Sequence, residues 1–257
     1  MRILLTNDDG INADGLSALE RIAAKLSDDV WICAPETERS GASRALTLSD
    51  PIRVRKLDDR RFSTTGTPTD CVMLGVRELV QGKAPDLVLS GVNRGANLGE
   101  DVTLSGTVAG AIEAMAMGVP GIALSQMGFY EGNRGYDAAE AFAPGIIRRL
   151  LETGWPNDVI MNVNFPGLAP TKITEVEVTR QGFRDVHIRT AEKRTDLRGR
   201  EYYWIGFRQE RSQPSAGTDL RALYDGKISV TPLHIDLTHN ESVHKLRSVL
   251  GGPPPKA

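Results

Sequence analysis

The sequence predicts an α/β fold of three layers, in which a mostly parallel sheet lies between two layers of helices. Short apolar runs alternate with amphipathic segments through the first 165 residues. The apolar runs are continuous rather than alternating, which is typical of strands that are buried on both faces. Strands and helices that alternate in this way form βαβ units, so we expect a Rossmann-like core. An apolar fraction of 40% in 257 residues is enough for one large core.

The elements of this core follow one another along the chain. Predicted strands cover residues 3–6, 30–34, 87–90, 121–125 and about 158–164. Predicted helices cover about 15–26, 68–80, 106–117 and 137–151. Asp14 is a candidate N-cap of the first helix, and Pro68 suits the first turn of the second. Residues 36–50 are predicted to form a polar loop, and 52–55 with 62–65 a short hairpin.

The pattern changes near residue 166. Isolated strands are predicted at 173–179, 202–207 and 227–232, with a charged stretch at 184–200 and one helix at about 241–250. We expect residues 1–165 to form the α/β core and residues 166–257 an antiparallel extension with a C-terminal helix. Arms of this kind often reach a second subunit, which predicts a homodimer or a tetramer.

Composition argues against several classes of protein. A net charge of −2 gives no electrostatic reason to expect binding to a nucleic acid polymer or a membrane. No window approaches the roughly 18 apolar residues of a membrane span, and the first residues lack the apolar stretch typical of a signal peptide, so we expect neither feature. Cys33 and Cys71 have no metal-binding spacing, so we expect reduced thiols in a cytoplasmic protein.

The most informative motif is the end of the first predicted strand, where Asp8 and Asp9 are adjacent. Two neighbouring carboxylates repel each other, and a hard divalent cation is the simplest way to stabilise them. Polar loops at 36–43 and 90–97 follow two further strands and should meet Asp8 and Asp9 at one edge of the sheet. Oxygen ligands from these loops suit Mg²⁺, Mn²⁺ or Ca²⁺ better than zinc. The alternative is that each Asp only caps a helix or forms a turn.

A second motif lies at the start of the helix at 106–117. Ser105 stands at the N-cap position, and Gly106 allows close approach to the backbone. The free N–H groups and the helix dipole form a site suited to phosphate, although an ordinary Ser-capped helix has the same sequence. No GxGxxG motif follows the first strand and no P-loop motif is present, which argues against dinucleotide binding and P-loop ATP hydrolysis.

Histidines and basic residues give weaker signals. The four histidines, His187, His234, His239 and His244, all lie in the last third and are predicted to be surface or interface residues. A cluster of basic residues is predicted to be a solvated face, or else to guide a polyanionic substrate toward the site. Its members are Arg184, Arg189, Lys193, Arg194, Arg198 and Arg200.

Together, these residues resemble the survival protein SurE family of metal-dependent nucleotidases. The resemblance spans nearly the whole chain, and the opening NDDG with the later SGxN and SGTV motifs is quite specific. The matching residues in the first half are Asn7-Asp8-Asp9-Gly10, Asp14-Gly15, Ala34-Pro35, Arg39-Ser40-Gly41, Gly66-Thr67-Pro68, Asp70-Cys71-Val72, Leu87 to Asn93, Gly95-Ala96-Asn97 and Ser105-Gly106-Thr107-Val108. Those in the last third are Gly199-Arg200, Tyr203-Trp204, Thr218-Asp219 and Ser229 to Leu233.

The resemblance implies a fold, a metal site and an activity. It implies one divalent cation, Mg²⁺ or Mn²⁺, per subunit, held by Asp8, Asp9, Ser40 and Asn93, in a three-layer α/β core with a C-terminal extension used in dimer formation. The implied activity is removal of phosphate from nucleoside 5′- and 3′-monophosphates, with short polyphosphate as a further substrate. One departure is Leu104, which stands where an aromatic residue is expected before Ser-Gly-Thr.

The predicted mechanism is attack on phosphorus by a metal-activated water, with Asp8 or Asp9 as general base. Asn97, Ser105, Gly106 and Thr107 would then bind the phosphate group. One alternative is an aspartyl-phosphate intermediate on Asp8, although Gly10 stands where such phosphatases carry a second Asp. Another is a nucleotide-binding sensor without turnover, which would use the same anion site.

Overall fold

In the computed structural model, the described residues are 1–128, 135–184, 189–207, 210 and 212–251. The prediction for His187 therefore falls outside the described residues. The described strands are β1 (Arg2–Thr6), β2 (Asp29–Pro35), β3 (Val54–Asp58), β4 (Arg61–Thr64), β5 (Leu87–Arg94), β6 (Gly121–Gln126), β7 (Val159–Phe165), β8 (Val176–Val178), β9 (Arg189–Thr195), β10 (Glu201–Phe207) and β11 (Ile228–His234). The helices are α1 (Asp14–Ala24), α2 (Pro68–Leu74), α3 (Gly106–Ala116), α4 (Asp137–Thr153), α5 (Asp219–Tyr224) and α6 (Asn240–Leu250).

Nine of these strands form one mixed sheet in the order β3-β4-β2-β1-β5-β6-β7-β11-β8. The six strands from β4 to β7 run parallel, whereas β3 and β11 run antiparallel to their neighbours β4 and β7. The strand order reverses at β1, because the chain passes from β1 to β2 on one side and to β5 on the other. Ligands bind beyond the carboxyl ends of strands at such a switch point.

Helices cover both faces of the sheet, as the continuous apolar strands predict. On one face α1 and α4 bury Leu16, Leu19 and Ile147 against the alternate side chains of the central strands. On the other face α2 and α3 pack over Leu4, Val88 and Ile160. The predicted three-layer α/β fold with a mostly parallel sheet is therefore confirmed.

Part of the last third of the chain extends the sheet, and another part lies outside it. β11 and β8 hydrogen-bond to the same sheet as the first half. By contrast, β9 and β10 form a separate two-stranded antiparallel hairpin, and α6 buries none of its side chains against the described residues. The division of the chain at residue 165 stays a prediction.

Several local predictions were wrong. Residues 189–195, predicted as a charged stretch, form β9, whose side chains are almost all exposed and therefore lack an apolar alternation. α1 begins at Asp14 itself, with Ala13 at the N-cap position and no side-chain capping bond. The predicted helix at 68–80 is α-helical only to Leu74, followed by a π-helical turn at Gly75–Leu79. The helix α5 has only six residues and was not predicted.

No helix of the described chain has the length and apolar character that crossing a membrane requires.

Candidate metal and phosphate site

Asp8 and Asp9 lie directly beyond the carboxyl end of β1, in a turn whose shape is fixed by its neighbours. The fully buried Asn7 donates a hydrogen bond from Nδ2 to the carbonyl of Gly10, at 2.9 Å. Gly10 has a φ of +103°, which L side chains rarely adopt. The turn therefore needs glycine at position 10 to present both carboxylates at the rim of the sheet.

Asp8 is the more deeply buried of the two carboxylates, with an exposed fraction of 4%. Its Oδ1 atom accepts a hydrogen bond of 2.5 Å from the Thr107 hydroxyl. Burial raises the pKa of Asp8, and the Thr107 hydrogen bond opposes that rise. A Cβ atom on Gly106 would lie 2.8 Å from Asp8 Cβ, so only glycine lets α3 begin this close to the carboxylate.

Asp9 is less buried and is coupled to its neighbour. Burial, and next the charge of Asp8, raise the pKa of Asp9 to about 6. The backbone N–H of Arg94 donates to Asp9 Oδ2 at 3.3 Å, which favours the ionised form. The carboxylate pair, Asp8 and Asp9, is therefore a place where negative charge is costly unless a cation offsets it.

Ser40 reaches this rim on the loop that follows β2. The backbone N–H of Arg39 donates to the Asp8 carbonyl at 2.7 Å, which ties the loop to the end of β1. The Ser40 hydroxyl donates to Glu38 Oε1 at 2.8 Å, so its oxygen lone pairs remain for a ligand. The charge of Glu38 also raises the pKa of Asp8 and of Asp9. Glu38 is a third acidic group that the sequence analysis did not single out.

Asn93 lies near the carboxyl end of β5, the strand next to β1 in the sheet. Its Nδ2 atom donates to the carbonyl of Gly95 at 2.8 Å, which leaves Oδ1 as the atom that could bind a metal. The next residue, Arg94, bonds to Asp9 through its backbone. The four predicted metal ligands thus come from β1, the loop after β2, and β5, which are neighbours in the sheet.

The N-terminus of α3 faces the carboxylate pair. Ser105 Oγ accepts a hydrogen bond from the Val108 N–H at 3.1 Å, so the predicted N-cap is confirmed. Gly110, one turn further along, also lies tightly over the sheet, since a Cβ atom there would lie 2.8 Å from Ser90 Oγ. These two glycines, 106 and 110, let the helix end with its free N–H groups lie beside Asp8.

Asn97 is placed differently from a simple phosphate ligand. It lies in the loop of residues 95–105 (the 95–105 loop), and its Nδ2 atom donates to Ser125 Oγ at 2.8 Å. Its backbone N–H donates to Asn164 Oδ1 at 2.8 Å, and its carbonyl accepts from Asn162 Nδ2 at 2.9 Å. A contact between Asn97 and phosphate must therefore use the second N–H of the amide or Oδ1, and that role stays a prediction.

Tyr136 is a residue near the site that sequence reasoning missed. Burial, and next the charge of Asp9, raise the pKa of its phenol to about 12. A Cβ atom on Gly15 would lie 3.0 Å from the Tyr136 hydroxyl, so the ring packs against the first turn of α1. No motif surrounds Tyr136 in the sequence, and only the fold brings it near Asp9.

Apart from Arg184, the basic cluster is exposed, as its sequence predicts. Arg184 is an exception to the predicted solvated face, because it is only 11% exposed and pairs with Asp101 at 2.5 Å. Lys193 and Arg194 pair with acidic residues on the exposed hairpin. The described histidines are exposed, as predicted, and are His234, His239 and His244.

The candidate metal ligands include a hydroxyl and an amide besides the two carboxylates. Within the described ranges, no group of three or more His, Cys, Asp and Glu side chains could hold a metal ion. A metal at the carboxylate pair would need the hydroxyl of Ser40 and the amide oxygen of Asn93 to complete its ligands. All four groups are oxygen donors, which suit a hard cation.

Comparison with known proteins gives consistent matches. Residues 3–188 match the family model described as survival protein SurE. The chain is 77% identical to a 5′-nucleotidase SurE of Phenylobacterium zucineum, with all of both chains covered. It is 71% identical to a 5′-nucleotidase SurE of Caulobacter vibrioides, covering 100% of this chain and 98% of that protein. The crystal structure of the SurE protein from Aquifex aeolicus matches with a TM-score of 0.82 and 40% identity, covering 97% of this chain and 99% of that one.

Proposed function

The chain belongs to the SurE family, and we propose that it is a nucleotide phosphatase that releases phosphate from nucleoside 5′-monophosphates. The observation that carries this proposal is the carboxylate pair beside the N-terminus of α3. This arrangement places acid–base groups next to a helix end that favours anions. The substrate class follows from relatives named 5′-nucleotidase that match the whole chain.

The residues at the rim fit one divalent cation, Mg²⁺ or Mn²⁺, per subunit. Burial raises the pKa of both Asp8 and Asp9, so the ionised pair is poorly stabilised by the protein alone. A divalent cation would favour the ionised forms and would accept oxygen ligands from Ser40 and Asn93. When bound there, such a cation would offset negative charge on the phosphoryl group and make water more acidic.

The side chains and backbone of the site have different proposed roles in the reaction. Asp8 is held by Thr107 and acts as a ligand, whereas Asp9 is more accessible and is the better placed of the two to accept a proton from the attacking water. Ser105, Gly106 and Thr107 offer donors at the start of α3, where the helix dipole favours a phosphate group. The proposal extends to 3′-monophosphates and short polyphosphate, because the same groups contact only phosphate.

We also propose that the C-terminal extension joins two or more copies of the chain. The hairpin exposes Tyr203, Trp204 and Ile205, and α6 exposes Val249 and Leu250. Apolar side chains exposed together in this way are typical of protein–protein contacts. A homodimer or a tetramer formed through these elements would cover them.

The proposed cellular location is the cytoplasm. Cys33 and Cys71 are both free and buried, which is typical of proteins kept in a reducing compartment. A hydrogen bond with Cys71 and burial raise the pKa of the Cys33 thiol, so it is poorly reactive.

The first test is phosphate release from a panel of 5′- and 3′-mononucleotides and short polyphosphate, with Mn²⁺, with Mg²⁺ and with EDTA. We expect release that depends on the metal and that EDTA abolishes. Folded protein that binds nucleotide tightly but releases no phosphate with either metal would favour a nucleotide sensor instead. An acid-labile phosphoprotein formed during turnover would favour an aspartyl-phosphate mechanism.

A further inference from the structure

Asp219 is a fully buried carboxylate in the last third of the chain, at the first residue of α5. Its Oδ2 atom accepts a hydrogen bond from the Gly99 N–H at 2.8 Å. Its Oδ1 atom accepts from Gly182 N–H at 2.7 Å and from Leu220 N–H at 2.8 Å. One side chain therefore joins the backbone at Gly99 and at Gly182 to the start of α5.

The three segments are packed too closely to move independently. Gly99 has a φ of +57°, and a Cβ atom there would lie 3.2 Å from Leu220 Cδ1 and 3.3 Å from the Gly182 carbonyl oxygen. A Cβ atom on Gly182 would lie 2.9 Å from Asp219 Oδ1. The backbone of the 95–105 loop therefore rests directly on Asp219 and its neighbours.

Further contacts from outside the loop fix the residues on both sides of Gly99. Asn164 Oδ1 accepts from the Asn97 N–H at 2.8 Å, and its Nδ2 atom donates to the Asn97 carbonyl at 3.1 Å. Arg184 donates to Asp101 Oδ2 at 2.5 Å, and its backbone N–H donates to Glu100 Oε2 at 3.1 Å. The loop is thus held at Asn97, Gly99 and Asp101, and Asp219 binds it at Gly99.

The loop that Asp219 holds leads directly into the site. It ends at Ser105, the N-cap of α3, and the next residue is Gly106, whose position is set against Asp8. A shift of the loop would move the N–H groups that face the phosphate, while the ligands on β1 and β5 would stay in place.

We propose that Asp219 is a positioning residue for phosphate hydrolysis. It acts through Gly99 and the 95–105 loop to fix the N-terminus of α3 relative to the carboxylate pair. This inference rests on the proposed function, because it assigns a residue to the same reaction. Asp219 hydrogen-bonds to none of the proposed metal ligands, so its effect on activity should exceed its effect on metal binding.

The experiment compares Asp219→Asn with a matched control, Asp225→Asn, in the full-length chain. Asp225 lies just after α5 and pairs with the exposed Arg221 at 2.9 Å, away from the loop. Steady-state kcat and KM are measured with a nucleoside 5′-monophosphate and Mn²⁺. Binding of Mn²⁺ alone is measured by calorimetry, and folding by circular dichroism.

We expect Asp219→Asn to lower kcat by about 10- to 100-fold, because misplacement by about 1 Å can cost that much. The change in KM should be smaller, and Mn²⁺ affinity should stay within about twofold of the wild type. The control should match the wild type in all three quantities. A residue that only stabilised the fold would leave kcat and KM of the folded enzyme unchanged.

Wild-type kcat in folded Asp219→Asn would overturn the inference, as would a loss of Mn²⁺ binding as large as the loss of kcat. If Asp219→Asn does not fold, the test uses Gly99→Ala instead. This variant keeps the Asp219 carboxylate and displaces the loop from Leu220. Gly99→Ala is expected to lower kcat in the same range, and wild-type kcat in it would contradict the proposal. Absence of phosphate release by the wild type would instead mean that the proposed function has failed.

Discussion

The carboxylate pair and the 95–105 loop lie at the same rim of the sheet but are held in different ways. The carboxylate pair depends on contacts within the first 107 residues, such as Asn7 with Gly10 and Asp8 with Thr107. The 95–105 loop is held by Ser125 and, in larger part, by side chains that lie 65 to 120 residues further along the chain. The groups proposed to carry the chemistry are therefore close together in sequence, whereas those proposed to position the substrate are far apart.

The largest expected effect comes from breaking the carboxylate pair. Asp8→Asn removes one charge and one ligand from the proposed metal site, so kcat should fall by about 10²–10³-fold. The fold should survive, because an amide fills the same space. The measurement is phosphate release with Mn²⁺, and Asp28→Asn on the exposed surface is the matched control. Near-wild-type turnover in folded Asp8→Asn would remove Asp8 from the mechanism.

A second substitution, Gly106→Ala, is designed to move the start of α3, and with it the end of the 95–105 loop, away from the carboxylate pair. Gly106→Ala places a methyl group 2.8 Å from Asp8 Cβ and 2.9 Å from Asp8 Oδ2. We expect kcat/KM to fall by about 10²-fold, because α3 must move away from the carboxylate. Gly145→Ala is the control, since nothing lies within 4 Å of its Cβ atom. The control should keep wild-type kinetics and gain about 0.5–1 kcal/mol of stability, because it lies inside α4.

The third substitution loosens the 95–105 loop and leaves the carboxylate pair intact. Asn164→Ala removes the partners of the Asn97 N–H and part of the bonding to its carbonyl. We expect a free energy of unfolding lower by about 1–3 kcal/mol and a kcat/KM lower by about tenfold. Mn²⁺ affinity should not change. Asn157→Ala, on the exposed loop before β7, is the control, and an equal loss of Mn²⁺ affinity in Asn164→Ala would show that the two regions are not separable.

The smallest expected effect is the pH dependence of stability without metal. Asp9 has a pKa raised from 3.8 to about 6 in the folded chain, and that of Asp8 is raised in the same direction. A raised pKa means that the folded state favours the protonated acid, so this contribution is present below about pH 4 and is lost as the pH rises through about 6.

The corresponding measurement is the Tm in EDTA and in Mg²⁺ between pH 4.5 and 7. We expect a loss of a few degrees with rising pH in EDTA, with about 2–4 °C for each kcal/mol. Mg²⁺ should remove that loss, because it stabilises the ionised pair. Asp9→Asn should lessen the pH dependence in EDTA, and an unchanged slope in that variant would assign the effect to other groups.

Much of the fold could be predicted because its strands and helices have strong local patterns. Leu4, Leu5 and Ile3 form a continuous apolar strand, and Leu16 with Leu19 marks a helix face. β9 could not be predicted, because among the described strands it pairs only with β10 and it exposes nearly every side chain. α5 has only six residues, which is too short for a periodic pattern in the sequence.

The candidate site likewise contains residues that the sequence could predict and residues that it could not. Asp8, Asp9, Ser40 and Asn93 follow strand ends, and the topology of a parallel sheet is enough to bring such residues to one rim. Their roles as metal ligands stay predictions. Glu38 and Tyr136 carry no motif of their own, and the match of Thr218-Asp219 to the family assigned no role to Asp219. Their positions depend on packing between distant segments, which no local pattern encodes.

The hydrogen bond from Gly99 to Asp219 also orders events during synthesis of the chain. Asp219 follows Gly99 by 120 residues, and translation at about 5–20 residues per second separates them by roughly 6–24 s. A growing chain therefore has its proposed metal ligands well before its 95–105 loop can bond to Asp219. We expect the full hydrolytic rate only when the last third has been made.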